Sequence, residues 1–419
     1  MAELEVLNVE AQQSLAKLGE ADIVVGIPSY NNARTIGHVV QAVSAGLAKH
    51  FHERRAVIVN SDGGSKDGTQ QVVLEAPLET ENLLLLRHPL HPVQRITTPY
   101  VGLPGKGSAV RAIFRAAQRL KAKACAIVDS DLRSITPDWI DLLVRPVLLH
   151  DFDYVCPFYR RHRYDGTITN SIVYPLTRAL YGTRVRQPIG GEFGLSARLV
   201  ERLLSKNVWE TDVARFGIDI WMTTTALAER FRVCQVFLGA KIHDPKDPGA
   251  DLTAMLVQVV GSLFGLMEDY DKVWKETHGS VPTPMFGFRY TVGLEPVRVN
   301  PERMMEAFRS GVRDLSPVYE SFLPRDLVAA LQQLAQAPPD KFILEDSIWV
   351  AAIYDFAAAF HRRTIDRKHL LQSLTPLYLG WVASYVVRTQ ADSDDDAETK
   401  IEQLALVYEQ LKTRVAERW

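Results

Sequence analysis

Cysteine is scarce in this chain. There are three in 419 residues, Cys125, Cys156 and Cys234, widely separated and in no CxxC pair. That excludes a disulfide scaffold or a cysteine-built zinc site as the framework. Long uninterrupted apolar runs are missing too: stretches such as residues 254–267 are broken and short of a bilayer's thickness. The opening "MAELEVLNVEAQQ" is acidic and lacks the apolar core of a signal peptide. Neither sign of charge dominates, with 48 Lys and Arg against 50 Asp and Glu, which argues against nucleic acid held on a broad basic face. These absences lead to the expectation of a soluble, cytoplasmic protein in a reducing compartment, without a transmembrane segment. The length is that of a chain with two or three domains and a large core.

What is present is alternation. Residues 23–27, 56–59, 82–86 and 124–128 read as short apolar strands, and residues 35–48 and 108–120 as helices between them. Strands joined by helical crossovers predict an α/β fold with a doubly wound, mostly parallel sheet. Such sheets bind ligands at the carboxyl ends of their strands. Three of these strands run into polar loops, at residues 29–32, 61–65 and 129–131, so those loops are expected to meet along one edge. Beyond about residue 250 the pattern becomes helical. Trp349, Ile353, Phe356 and Phe360 share one face, as do Ile401, Leu404, Tyr408, Leu411 and Val415. Pro301, Pro324 and Pro339 stand where helices would start. The expected division is residues 1–250 as a ligand-binding domain and 251–419 as a helical domain or extension, forming a core, a lid or a homodimer surface.

The strand at 124–128 ends in Asp129-Ser130-Asp131. Unpaired buried charge is costly, and two oxygen donors one residue apart suit a hard cation such as Mg2+ or Mn2+ shared with a diphosphate. The alternative is a helix-start cluster involving Asp131, Ser134 and Thr136. Asp392-Ser393-Asp394 repeats the tripeptide among other acids with no strand before it, and there the helix-start reading is preferred. Spacing alone therefore decides nothing. "VVGIPSYNNARTI" adds Tyr30 for stacking and Asn31 for hydrogen bonding. "NSDGGSKDGT" places Asp62 at a strand end before glycines, either to meet a base or simply to build a turn. "PGKGSAVRA" sets Lys106 between glycines at a helix start, where backbone N–H groups favour phosphate; it is not a Walker A loop.

"IPSYNNARTI", "DGGSKDGT", "PGKGSAVRA" and "VDSDL", in this order, resemble the nucleotide-sugar domain of GT-A glycosyltransferases. The chain resembles the glucosyl-3-phosphoglycerate synthase family and its glucosylglycerate synthase relatives, which are family-2-like in sequence but retain anomeric configuration. The likeness continues through "GTITNSIVYPL", "QPIGGEFGLS", "FGIDIWM" and "GAKIHDP" and covers about residues 22–260. It implies that Pro28, Ser29, Tyr30, Asn31 and Asp62 border the nucleotide. It implies too that Lys106, Asp129 and Ser130 lie along the ribose and diphosphate, and that Asp131 and His243, with Asp129 beside them, hold Mg2+ or Mn2+. Asp219, in place of the family's glutamate, and Glu192 are the candidate catalytic carboxylates, organising sugar or acceptor or acting as base. Gly166, Thr167, Ile168 and Thr169 match the acceptor loop.

That loop departs from the pattern. Phosphoglycerate-using members resemble Gly-Arg-Val-Thr there, and this chain has Thr167 where the arginine stands. Pro245 replaces an asparagine two residues past the metal histidine. Each lost charge-assisted contact to a phosphate is worth about 1.5–3 kcal/mol, unless Arg161, Arg163 or Arg186 compensates. The expected activity is retaining, metal-dependent transfer of a hexose, glucose first, from a UDP or GDP sugar (glucose or mannose) to glycerate or a similar small acceptor. The alternatives are a glucosyl-3-phosphoglycerate synthase proper, an inverting family-2-type transferase, a sugar nucleotidyltransferase and a non-catalytic sugar-nucleotide sensor.

Overall fold

The computed structural model describes residues 6–77, 94–99, 105–215, 217–242 and 252–419. Among these, eight strands form one sheet: β1 Ile23–Ser29, β2 Ala56–Asp62, β3 Gln94–Pro99, β4 Ala124–Ile127, β5 Tyr154–Arg160, β7 Phe193–Ser196, β8 Val233–Ala240 and β10 Met285–Phe286. Two more, β6 Thr183–Arg184 and β9 Val281–Pro282, pair separately. The sheet order is β10-β8-β5-β7-β4-β1-β2-β3. All pairs are parallel except those of β7, which runs antiparallel between β4 and β5. The α/β class and the mostly parallel sheet are therefore as expected. The strand expected at 82–86 lies outside the described residues; the strand found next to β2 is β3.

The apolar residues of β1 explain its central place. Ile23, Val25 and Ile27 face Val39, Val40, Val43 and Leu47 of helix Ile36–His50, and Trp139, Ile140 and Leu143 of helix Asp138–His150 belong to the same core. Gly26, one residue out of phase, faces Ile113 of helix Lys106–Arg119 on the other side. Helices on both faces bury the strands completely, which is why they read as continuous apolar runs rather than alternating ones. Each fully buried Val, Leu or Ile is stabilised by about 1.5–3 kcal/mol on leaving water. Burial fixes the register in turn, because a slip of one residue would turn every side chain to the opposite face. The register sets Ser29 of β1 opposite Asp62 of β2.

The chain divides into two compact units, 1–160 with 189–244 and 283–293, and 161–188 with 245–282 and 294–419. Residues 161–188 thus belong with the helices, and 283–293 return to the sheet unit to supply β10. The helical unit includes helices Leu252–Asp269, Pro301–Asp314, Arg325–Ala335, Asp346–Arg362, Arg367–Thr389 and Asp394–Gln410. Pro301 occupies the first turn of its helix, and Pro324 is the N-cap of helix Arg325–Ala335. Among the described residues, Arg367–Thr389 is the one helix long and apolar enough to cross a membrane, and its apolar window is 72% buried within the protein.

The repeated tripeptide separates into two roles. Ser393 caps helix Asp394–Gln410, accepting from the Asp396 N–H while the Asp396 carboxylate accepts from the Ser393 N–H. Asp129-Ser130-Asp131 caps no helix, since the next one begins at Asp138 behind Pro137.

Candidate active site

The polar loops after β1, β2 and β4 meet as their sequence suggests. Ser29 Oγ donates to Asp62 Oδ2 at 2.9 Å, and the Asn31 N–H donates to Ser65 Oγ at 2.7 Å. Ser130 Oγ donates to Asn32 Oδ1 at 2.8 Å, while Thr35 Oγ1 donates to the Ser130 carbonyl at 2.8 Å. Asp62 is fully buried. Its Oδ1 accepts from the Gly64 and Ser65 N–H groups and from Gln70, and its Oδ2 from the hydroxyls of Ser29 and Ser65. Burial would raise this carboxyl, but those donors outweigh it and hold the pKa below its ordinary value. Asp62 thus organises the loop from within. Pro28 is buried in β1, whereas Tyr30 is 63% exposed. Asn31 takes a left-handed backbone, φ 54°, and its Oδ1 accepts from the Lys66 N–H at 3.0 Å.

The buried charge at the tip of β4 has partners. Lys106 Nζ lies 2.8 Å from Asp129 Oδ1 and 3.1 Å from Asp219 Oδ2. Lys241 Nζ lies 3.1 Å from Asp129 Oδ2 and 3.0 Å from Glu192 Oε1. Two ammonium groups therefore thread three carboxylates that are far apart in sequence. Burial disfavours charge on Asp129, yet Lys106 and Lys241 overcome it and hold its pKa far below the ordinary range. Lys106 likewise stays charged, because Asp129 and Asp219 outweigh its desolvation. Glu192 is fully buried and shares Lys241 with the more acidic Asp129; burial pushes its pKa up to about 8, with Lys241 pulling only partly back. Asp219, in the first turn of helix Ile218–Ala228, is also raised by burial against the pull of Lys106. Its Oδ1 is buried and has no partner among the described residues.

Two glycines permit this assembly. A Cβ on Gly107 would stand 1.9 Å from the Val213 carbonyl oxygen, so only glycine lets the helix carrying Lys106 approach the segment leading to Asp219. Gly191 has φ +98°, and a Cβ there would stand 2.1 Å from Asp129 Oδ2 and 2.8 Å from Lys241 Nζ.

Asp131 is half-buried at the same strand tip and has no hydrogen-bond or ion-pair partner among the described residues. His243 lies outside the described residues, as does Pro245. The chain just before His243 is placed: the Arg133 N–H donates to the Ile242 carbonyl at 2.9 Å, and the Ile242 N–H to Ser134 Oγ at 2.9 Å. Ile242 thus abuts the loop that follows Asp131. No group of three or more His, Cys, Asp or Glu able to hold a metal occurs among the described residues.

In the helical unit, Gly166 turns with φ +65° against Arg161. Thr167, Ile168 and Thr169 are buried, and the Thr167 hydroxyl pairs with that of Tyr378 at 2.5 Å. Residues Thr169–Val173 form a π-helical turn that runs into helix Tyr174–Tyr181, a form often seen at functional sites. The three nearby arginines are engaged. Arg186 makes a two-pronged pair with Glu398 at 2.6 and 2.8 Å. Arg163 bonds the Asp392 carbonyl, and Arg161 pairs with Asp165 at 3.4 Å. Arg178, also buried, pairs with Glu402 and Glu409 at 2.6 Å each, and Tyr174 donates to Glu402 at 2.6 Å.

Sequence reasoning gave Lys241 and Gly191 no task. Both stood inside quoted motifs, two residues before His243 and one before Glu192, but a buried lysine that joins three segments has no local signature.

Taken together, the sheet, its converging strand tips and the lysine–carboxylate chain define an α/β protein whose polar loops gather at the carboxyl edge of a mostly parallel sheet, the edge at which sheets of this class bind ligands. Residues 36–264, more than half of the chain, match the family model described as mannosylglycerate synthase, GT domain. The chain belongs to that family of glycosyltransferases. Among curated proteins no sequence match was found. Similar solved structures include glucosyl-3-phosphoglycerate synthase from Mycobacterium tuberculosis with Mn2+, UDP and glucosyl-3-phosphoglycerate. That one is 23% identical, covers 60% of this chain and 83% of that one, and has a TM-score of 0.44. The same enzyme with phosphoglyceric acid is 20% identical over 61% and 84% of the two chains, TM-score 0.44. Its complex with Mg2+ and UDP is 20% identical over 61% and 83%, TM-score 0.43.

Proposed function

We propose that this protein transfers a hexose, glucose or mannose, from a nucleoside diphosphate sugar to glycerate, with retention at the anomeric carbon and with Mg2+ or Mn2+. The family match supports the reaction class, and the family's name is that of a glycerate-glycosylating enzyme. The observation that carries the acceptor is the engagement of Arg161, Arg163 and Arg186 by Asp165, Asp392 and Glu398. Each of the three already has a partner among the described residues, so none of them stands ready to replace the arginine missing at Thr167.

The donor would lie over the tips of β1, β2 and β4, its base against Tyr30 and its ribose and diphosphate along Asp129, Ser130 and Lys106. Asp131, with His243 and Asp129, would hold the cation, whose chemistry is to offset charge on the departing diphosphate. Oxygen from Asp131, which no described residue engages, suits a hard cation. Lys106 donates one N–H each to Asp129 and Asp219, leaving a third for a phosphoryl oxygen. Asp219 Oδ1, buried without a described partner, would accept from a sugar hydroxyl. On the retaining route, the acceptor hydroxyl oxygen bonds the anomeric carbon on the face the diphosphate leaves. The carbon–oxygen bond to the diphosphate breaks, and the hydroxyl proton passes to the leaving phosphoryl oxygen.

The test is a matrix of UDP- and GDP-glucose and -mannose against glycerate and 3-phosphoglycerate, with each cation, read by mass spectrometry. A large preference for 3-phosphoglycerate overturns the acceptor assignment. The raised Asp219, with one oxygen unpartnered, also suits a general base in an inverting transferase. Proton NMR of the product's anomeric linkage separates the two routes. The three buried cysteines, all free thiols, fit a cytoplasmic working place.

A further inference from the structure

Lys241 stands one residue past β8, and its side chain is 5% exposed. Its ammonium faces, among the described residues, the Gly190 carbonyl at 2.7 Å, Glu192 Oε1 and Oε2 at 3.0 and 3.1 Å, and Asp129 Oδ2 at 3.1 Å. The Tyr159 ring lies 5.5 Å away and closes another side. An ammonium has three N–H donors, so Lys241 has no proton left to offer a substrate. Lys106 differs, with two carboxylate partners and a more open side chain, 18% exposed.

We propose that Lys241 is a positioning residue for the donor half of the site. It grips Asp129 by Oδ2, which turns Oδ1 to Lys106, and it ties the 190–192 loop to the end of β8. It also supplies a second positive charge beside Asp129, without which a diphosphate would approach a more strongly acidic site. This rests on the donor reading above. Arginine keeps the charge and has more donors than lysine, so it restores the function in part, whereas an uncharged side chain of similar length does not.

The experiment uses full-length wild type, Lys241→Met and Lys241→Arg. Binding of UDP and of GDP with manganese is measured by titration calorimetry, and KM for donor and acceptor by turnover. Lys241→Met is expected to weaken nucleotide binding by about 10- to 100-fold, the loss of one nearby charge in a partly dry site. Its acceptor KM changes by less than about threefold, because the charge lost belongs to the donor half. Lys241→Arg stays within about fivefold of wild type. If the methionine variant does not fold, Lys241→Gln, uncharged but hydrogen-bonding, replaces it. Wild-type nucleotide binding by the uncharged variant overturns the proposal, as does an arginine variant no better than methionine. Wild type that binds neither nucleotide overturns the donor reading and this proposal together.

Discussion

Gly191→Ala tests whether the lysine–carboxylate chain needs the close approach that glycine permits. The added Cβ would sit 2.1 Å from Asp129 Oδ2 and 2.8 Å from Lys241 Nζ, on a backbone with φ +98°. Holding alanine in that conformation costs about 1–2 kcal/mol. Forcing the carboxylate and the ammonium apart forfeits a charge-assisted hydrogen bond, about 1.5–3 kcal/mol. The sum, about 2.5–5 kcal/mol in all, should lower the urea midpoint markedly and, by displacing Asp129, reduce kcat/KM at least about 100-fold. Gly19→Ala is the control: φ is +73° there, but nothing lies within 4 Å of the new carbon. That variant should lose only the backbone penalty, about 1–2 kcal/mol, and keep its activity. The assays are urea denaturation and donor turnover on both variants and wild type. A Gly191→Ala protein no less stable than the control and fully active would refute the argument, because the contact would then tolerate a methyl group.

Other outcomes follow from the same geometry. Asp131→Asn should weaken manganese binding in the presence of UDP by about 100-fold or more, measured by electron paramagnetic resonance. Glu192, raised from an ordinary 4.5 to about 8 by burial, keeps in the folded state a proton that the unfolded chain releases. Stability should therefore fall as pH rises between those values, by up to about 1.4 kcal/mol per unit from this group. Denaturant midpoints across the window should show the decline in wild type and a flatter profile in Glu192→Gln. Arg178→Met leaves Glu402 and Glu409 without their shared cation and should destabilise the protein by about 3 kcal/mol, read from thermal melts.

The parts of this molecule legible in advance are those encoded locally. The apolar runs of β1, β2 and β4 and the polar residues that end them mark both the strands and the edge where their loops meet. The facing stripes of Trp349 to Phe360 likewise mark helix Asp346–Arg362. What was not legible depends on distance. The four residues of β7 carry no sign that they run against their neighbours. Residues 161–188 sit between sheet segments, yet they belong with the helices because Arg178 and Arg186 find their carboxylates more than two hundred residues onward. Lys241 reaches Asp129 across 112 positions. Asp62 shows the converse. Its place at a strand end was plain, but only the structure reveals five donors already satisfying it.

The return of residues 283–293 to the sheet bears on how this protein can be cut. A gene shortened after codon 250 would encode every long strand yet omit β10, which seals β8 through the pairs Met285–Gln235 and Phe286–Val236. The bared margin of β8 would offer free amides and carbonyls to any passing chain. Such a fragment should clump during expression rather than yield a working half-enzyme.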